Sequence, residues 1–424
     1  MSPLAAVDSG PGPWRVATSD GALTLLMLAM PLGTTPITVA GYGVVAVAVL
    51  AGDWRSGRLR QAWPVVLPVL GLVALTLLGL LVADEPRTGL DFALKVHYWL
   101  PGLALAVLPV RPAALERGVR ALALALAVNA AAGLAQWQGL LPVKQAGELT
   151  GFSRTYLTVG PMLALGVALM ARIAVREPTT RSWAWPAAGL FAFHLGLLPS
   201  RSGYLALLAL VPVVLFSVFD SHRRRLALAV GLGLVALVGL SPTVQDRVGR
   251  MGVEMASYLT PNPRGLSGGD VFAQRDLAAM RPIEQRLYMW EGAWRIFRSH
   301  PLLGVGTGGY RSAMRDLMGP AGPVVDHPHS TYFYMAACHG LVGLGALGWL
   351  LAALVVRGWR QRQQTGGFLV LAGTVLWMVV GVSDTAIAGA DWLLFLAFLV
   401  GLAVQLSAGV GESSMGIDRR LSSC

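Results

Sequence analysis

Charged residues are scarce in this chain, and their scarcity excludes most soluble folds. Only 13% of the 424 residues are charged while 55% are hydrophobic, and the mean hydropathy is +0.60. So much apolar surface needs lipid to cover it. Cysteine is scarcer still. Cys338 lies inside an apolar run and Cys424 at the end of the sequence, which excludes a disulfide framework and a cysteine-built metal knuckle. Acidic residues number 22 against 33 basic ones. The formal charge of +11 would direct a soluble protein to nucleic acid; in a membrane chain it first reflects the gathering of Lys and Arg on cytoplasmic loops. No nucleic-acid partner is expected. The opening MSPLAAVDSGPGPWRVATSDG lacks the basic-then-apolar order of a cleavable signal, so the first apolar segment is expected to stay in the membrane. The class is an all-α polytopic membrane protein.

Apolar runs long enough for a bilayer recur along the whole chain. Residues 22–51 read as two short spans joined by the turn PLGTTP. Further spans fall near 63–82, 90–110, 119–140, 156–174, 183–198, 203–219, 226–240, 330–356, 367–382 and 392–410. The total is about twelve transmembrane helices. With the N-terminus in the cytoplasm, alternation puts the loops at Arg55, Arg111, Arg172, Arg223 and Arg357, and the tail with Arg419 and Arg420, on the inside. The positive-inside rule asks for that arrangement. Residues 1–241 are thus expected to hold about nine spans, 242–329 a large outer segment with amphipathic helices, 330–410 about three more spans, and 411–424 a cytoplasmic tail. No inverted repeat is visible, which weighs against a secondary transporter.

Several basic residues break the charge rule. Lys144, Arg154 and Arg201 sit at outer membrane ends, and the outer segment adds about ten more Arg. Something anionic on that side would account for them. Arg201, in PSRSGYLAL at the entry to a span, either snorkels to headgroups or reaches into an outward cavity; Arg154 allows the same two readings. Lys95 and His97, near the outer end of the fourth span, read as structural or interfacial. RLYMWEGAWRIFRSH, residues 286–300, places Leu287, Trp290, Trp294 and Phe297 at helical spacing with Arg286, Arg295 and Arg298 between them. This is an amphipathic helix lying on the membrane surface or capping the bundle. PLLGVGTGGY follows as a Gly-rich turn, but it has no Gly-Lys-Ser/Thr ending and no strand before it, so nucleotide binding is rejected. In DHPHSTY, His329 opens a span, and an imidazole with a pKa of about 6.5 can take a proton at working pH. Capping of the helix is its plainer use. A metal site from His327, His329 and Asp326 would lack a further acidic ligand close by in sequence.

These segments resemble the signature of the bacterial O-antigen ligase and O-antigen polymerase family. That signature is an Arg-Leu-x-x-Trp helix leading to a His-Pro-x-x-Gly-x-Gly turn, then a His-Asn-x-Tyr start of a membrane helix with Gly-Leu-x-Gly. PSRSGYLAL resembles the family's Ser-Arg-Gly span entry, and GFSRTYLTVGPMLALGVAL its earlier outer loop and helix. Ser330 departs from the pattern, standing where the family usually has Asn. The resemblance implies a GT-C-like glycosyltransferase of the bacterial inner membrane, with its active site facing the periplasm and both termini in the cytoplasm. It implies transfer of a glycan from undecaprenyl pyrophosphate to an acceptor hydroxyl, without a nucleotide sugar, a metal or another cofactor.

The residues fit that implied task. Charge growing on a pyrophosphate leaving group needs fixed cations, and Arg is always charged and grips two oxygens at once; Arg154, Arg201 and Arg286 are the candidates. An acceptor hydroxyl must lose a proton as it attacks, and His329 is the candidate base, with Arg201 beside it in catalysis. His327, Ser330 and Tyr332 are candidates for the acceptor side or for support. No nucleophilic carboxylate pair is visible for a retaining route, so inversion is expected. Glu148, Asp384 and Asp391 either orient an acceptor or are simply solvated. Among the family's activities, ligation of O antigen to lipid A–core is favoured over chain polymerisation and protein O-glycosylation, because a basic outer segment suits the phosphorylated core. Outside the family, an anionic lipid or solute transporter explains the outer Arg residues but gives His329 no particular task.

Overall fold

The structure is a computed structural model that describes residues 12–143, 148–153, 155–219, 242–260, 277–319 and 325–421, together with Arg225, Leu228 and Phe272. Lys144, Arg154 and almost all of the expected span at 226–240 lie outside these residues. Among the described residues all regular structure is helical. Proline opens several helices, where its missing N–H costs nothing and its fixed φ suits a first turn: α1 (Pro13–Ala29), α5 (Pro86–Ala93), α7 (Pro112–Trp137), α11 (Pro242–Leu259) and α12 (Pro282–Ser299). Between and after them come α2 (Thr34–Ala51), α3 (Arg58–Gln61), α4 (Trp63–Leu78), α6 (Leu100–Val107), α8 (Tyr156–Arg176), α9 (Arg181–Leu197), α10 (Arg201–Val218), α13 (Tyr310–Met318), α14 (Thr331–Arg360), α15 (Thr365–Ser383) and α16 (Ala390–Leu421).

Among the described residues 8 helices are long and apolar enough to cross a membrane: α2, α4 with its extension to Leu81, α7, α8, α10, α14, α15, and α16 as far as Ser407. The chain is therefore a polytopic membrane protein. α1 and α9, each of 17 residues, are close to a spanning length. The expected fourth span, read as continuous over 90–110, is broken. A 3-10 segment, Leu94–Trp99, separates α5 from α6. Pro101 explains the break, since it cannot donate to the carbonyl four residues back and its ring crowds that carbonyl.

α8 is the most enclosed span, with 83% of its apolar window buried against 28% for α2. It packs between α9 and α10, while α15 joins α10 to α14 and α16. The starts of α8, α10 and α14 and the end of α15 meet at one end of this bundle. Arg172, Arg176, Arg357 and Arg360 lie toward the other, where Asp20, almost fully buried, takes Arg111 Nε at 2.6 Å and Arg117 at 2.9 Å. Two guanidiniums and the Arg111 N–H at 3.0 Å satisfy a carboxylate that would be very costly unpaired at that depth.

The Gly-rich turn after α12 has a structural task that its sequence does not announce. α14 is interrupted at Gly340, whose φ of 59° and ψ of −153° stop the helical hydrogen-bond ladder. Residues 301–306 fill the gap from outside. Val305 N donates to Ala337 O at 3.0 Å and Gly306 N to Cys338 O at 2.9 Å, while Leu341 N and Val342 N donate to Pro301 O and Leu302 O at 2.8 and 3.2 Å. The turn thus returns two donors and two acceptors to the break, as buried backbone in a membrane requires. It comes so close that a Cβ on Gly304, at φ +67°, would lie 2.3 Å from the Cys338 carbonyl carbon. Gly304→Ala is accordingly expected to destabilise the fold by at least about 1–3 kcal/mol. A lower melting temperature and a reduced folded yield of the detergent-solubilised protein would report it. An unchanged melt would contradict the docking of residues 301–306 into the break.

Candidate active site

Five stretches far apart in sequence converge at the end of the bundle where α8, α10 and α14 begin. Arg201 is the first residue of α10, whose N-cap Ser200 accepts from Gly203 N at 3.2 Å and donates to the Tyr156 carbonyl at 3.2 Å. The starts of α8 and α10 are thereby tied together. Arg286 stands in the second turn of α12. One turn further, Trp290 donates its indole N–H to Pro328 O at 3.0 Å and stacks on Phe333 with centroids 5.3 Å apart, which holds α12 against the DHPHSTY stretch. α15 and α14 are joined in turn by Asp384, whose carbonyl accepts from Thr331 N at 3.0 Å and from the Thr331 hydroxyl at 3.1 Å. Asp384 so caps the N-terminus of α14, directly after His329.

The backbone at His329 is itself unusual. Its φ of 49° makes it the one non-glycine residue in the left-handed region among the described residues. Such a conformation costs roughly 1–3 kcal/mol and persists where the surroundings impose it, often at functional sites. Here the bonds at Pro328 and Thr331 pin both sides of it. The His327 ring lies edge-on to that of His329, centroids 4.4 Å apart. His327 Nδ1 receives the His329 N–H at 3.4 Å and lies 3.2 Å from the Thr385 hydroxyl. A backbone N–H can only donate, so the proton of the neutral His327 ring sits on Nε2.

Electrostatics join these groups into one cluster. Burial, then the Arg201 guanidinium, lower the pKa of Arg286, with Asp384 and Tyr156 opposing. Arg201 and Arg286 are two neighbouring, half-buried cations, and among the described residues no ion pair engages either of them. Burial and the adjacent His327 ring, with Arg286 adding to them, push His329 down to about 4 against the pull of Asp384. At neutral pH His329 is therefore an uncharged imidazole with a nitrogen free to take a proton, though a weaker base than an ordinary histidine until negative charge arrives beside it. Asp384 is raised above its usual range by burial, with the Thr385 N–H at 2.8 Å, His329 and Arg286 opposing. Burial also lowers His327, and Lys95 adds to the effect. An arrangement of this kind can bind a polyanion between Arg201 and Arg286 and take a proton at His329.

Of the residues singled out from sequence, Arg201, Arg286, His327 and His329 share this cluster; Arg154 lies outside the described residues. Ser330 and Tyr332 use their hydroxyls on the Gly381 and Met378 carbonyls, at 3.3 and 2.9 Å, which binds α14 to α15. Asp326 pairs with Arg311 at 3.3 Å, and no three His, Cys, Asp or Glu among the described residues are grouped to hold a metal ion. Two participants escape sequence reasoning. Asp384 reads as one of three interchangeable outer acids, and Lys95 as interfacial. Their one signal is position, at the outer ends of spans. α12 also differs from expectation: its packed face is Tyr288, Met289, Gly292, Ala293 and Ile296, while Trp294 is exposed and Leu287 and Phe297 are half-buried. Small residues at 292 and 293 let the helix approach closely. It runs alongside α14 rather than across the end of the bundle, with Trp290 beside Pro328 and the following turn beside Leu341.

A family model described as O-antigen ligase matches residues 186–348. Over that stretch the chain is similar to the O-antigen ligase family. That stretch runs from α9 into α14 and contains Arg201, Arg286, His327 and His329, whereas Tyr156 and Asp384 come from outside it. The O-antigen ligase family joins glycans in the manner of a glycosyltransferase, on lipid-linked glycan and lipid acceptor substrates in general. No curated protein matches the chain.

Proposed function

We propose that the protein is an O-antigen ligase of the bacterial inner membrane. It transfers O-antigen glycan from undecaprenyl pyrophosphate to a sugar hydroxyl of lipid A–core at the periplasmic face, through a GT-C-like bundle of about twelve spans with both termini cytoplasmic. The observation that carries this reading is the convergence of Arg201 and Arg286, in no ion pair among the described residues, with His329 at the end of the bundle that the positive-inside rule turns outward. In the reaction, the acceptor oxygen attacks the anomeric carbon and gives its proton to His329. The bond from that carbon to the phosphate oxygen breaks, and its electrons leave with the pyrophosphate between Arg201 and Arg286. One displacement inverts the anomeric centre. Asp384 steadies the imidazolium that forms, and the outer segment meets the phosphorylated acceptor. Purified protein supplied with undecaprenyl-pyrophosphate-linked glycan and lipid A–core should join the two; joining of carrier-linked glycans to one another instead would overturn the ligase assignment.

The site predicts an unusual pH dependence. In the free enzyme His329 is neutral above about 4, so kcat/KM should hold its value well below the pH at which an ordinary histidine protonates. Bound pyrophosphate adds negative charge nearby, which favours the imidazolium, so the acid limb of kcat should lie at higher pH than that of kcat/KM. Asp384→Asn removes a group that raises His329. It should move the kcat/KM limb to still lower pH while slowing transfer. Coincident limbs near the ordinary histidine value in both enzymes would contradict this account of the base.

A further inference from the structure

Leu302 and Leu303, at the tip of the turn after α12, are 65% and 61% exposed. Their depth in the bilayer follows from α14. From Val356 back to Leu341 the helix is unbroken, and about 15 residues at ~1.5 Å each cover only ~22 Å of the ~30 Å hydrocarbon layer. Leu341 therefore lies inside the apolar layer, roughly 7 Å short of its far boundary. The main-chain bonds from Leu341 N to Pro301 O and from Val342 N to Leu302 O, at 2.8 and 3.2 Å, fix the tip at that level. Leu341 and Val342 are exposed on the outer surface of this spanning helix, so the two leucines continue a surface that already faces lipid. In the last turns of α12, Trp294 is exposed and packs on Phe297 with centroids 5.3 Å apart; indole rings favour headgroup depth. Arg298 and His300, both exposed, lie between.

We infer that residues 294–303 form a membrane-dipping tip whose partner is the phospholipid leaflet on the side of the site. Leu302 and Leu303 enter the acyl chains, Trp294 lies among the headgroups, and Arg298 and His300 face lipid phosphates. The Gly-rich turn makes this tolerable, because the protein itself satisfies its irregular backbone at that depth. α12 carries Arg286 at its other end, so the tip also sets the height of that cation above the bilayer. The inference rests on α14 spanning the membrane and not on the reaction proposed above.

The test uses the full chain in phosphatidylcholine nanodiscs, with Cys424→Ser and Leu303→Cys, labelled with an environment-sensitive fluorophore; Cys338 is buried and is spared. Lipid carrying a spin label high on the acyl chain should quench the probe several-fold more than the same probe at Asp316→Cys in α13, and iodide should quench it less. Leu302→Cys should give the same pattern, which guards against a local fault in one variant. Equal lipid quenching at 303 and 316, with free access of iodide to both, would overturn the inference.

Discussion

Replacing His329 by glutamine is expected to slow glycan transfer by about 10²–10⁴-fold while leaving donor affinity within a few-fold of the parent. The expectation follows from what the imidazole is placed to do. It is neutral, its backbone is held at φ 49°, and the bonds at Pro328 and Thr331 fix it against both α12 and α15. Glutamine keeps a polar side chain of similar reach but cannot take a proton at working pH. Transfer in a single turnover, alongside binding of undecaprenyl pyrophosphate to the same preparation, separates the two effects. Parent-like transfer by the variant would remove His329 from the chemistry. A matching loss of donor binding would make it a binding residue instead.

The second large effect is expected at the cations. Arg286→Lys keeps the charge and most of the length but loses the planar fork, so an arginine that grips two phosphate oxygens is not replaced by lysine. Removal of one such donor to developing charge costs about 10²–10³-fold in rate. Arg286→Lys and Arg201→Lys should each fall in that range, with kcat lowered more than KM is raised, because the leaving group gains charge in the transition state. The pair should lose less than the product of the two, since both guanidiniums serve one anion. Arg298→Lys, an exposed position on the same helix, serves as the comparison and should stay near the parent rate. Equal, small losses at 201, 286 and 298 would reduce all three to general electrostatics.

Much of this architecture is legible from the chain because the membrane makes the pattern strong. Long apolar runs such as 156–174 and 367–382 correspond to α8 and α15 within a few residues, since lipid tolerates little else at that depth. What escapes is decided by backbone geometry or by the pairing of distant helices. The 3-10 segment at Leu94–Trp99 depends on Pro101 just beyond it, and the pattern of apolar residues does not mark where the helix gives way. The break at Gly340 depends on a turn some 35 residues earlier that supplies the missing hydrogen bonds, and no periodicity encodes such a docking. His329, Arg201 and Arg286 stand out because they are ionisable residues at membrane boundaries on the side where the charge rule does not expect cations. Asp384 does not stand out, because nothing in DTAIAGAD tells it from Asp391; only the contact of α15 with the start of α14 sets it beside the imidazole. The face of α12 is misread for a related reason. Its bulky residues suggest burial, but close packing favours Gly292 and Ala293, and the large ring of Trp294 is left outside.

Ligation of a carrier-linked glycan to lipid A–core should fail when the gene is deleted in its host. Lipopolysaccharide would be separated on a gel while undecaprenyl-linked glycan is extracted from the same cells. Loss of the ladder with long polymer accumulating on the carrier, reversed by the parent gene but not by the His329→Gln form, is the predicted result. Core that still carries a single repeat, or an unchanged ladder and carrier pool, would contradict it.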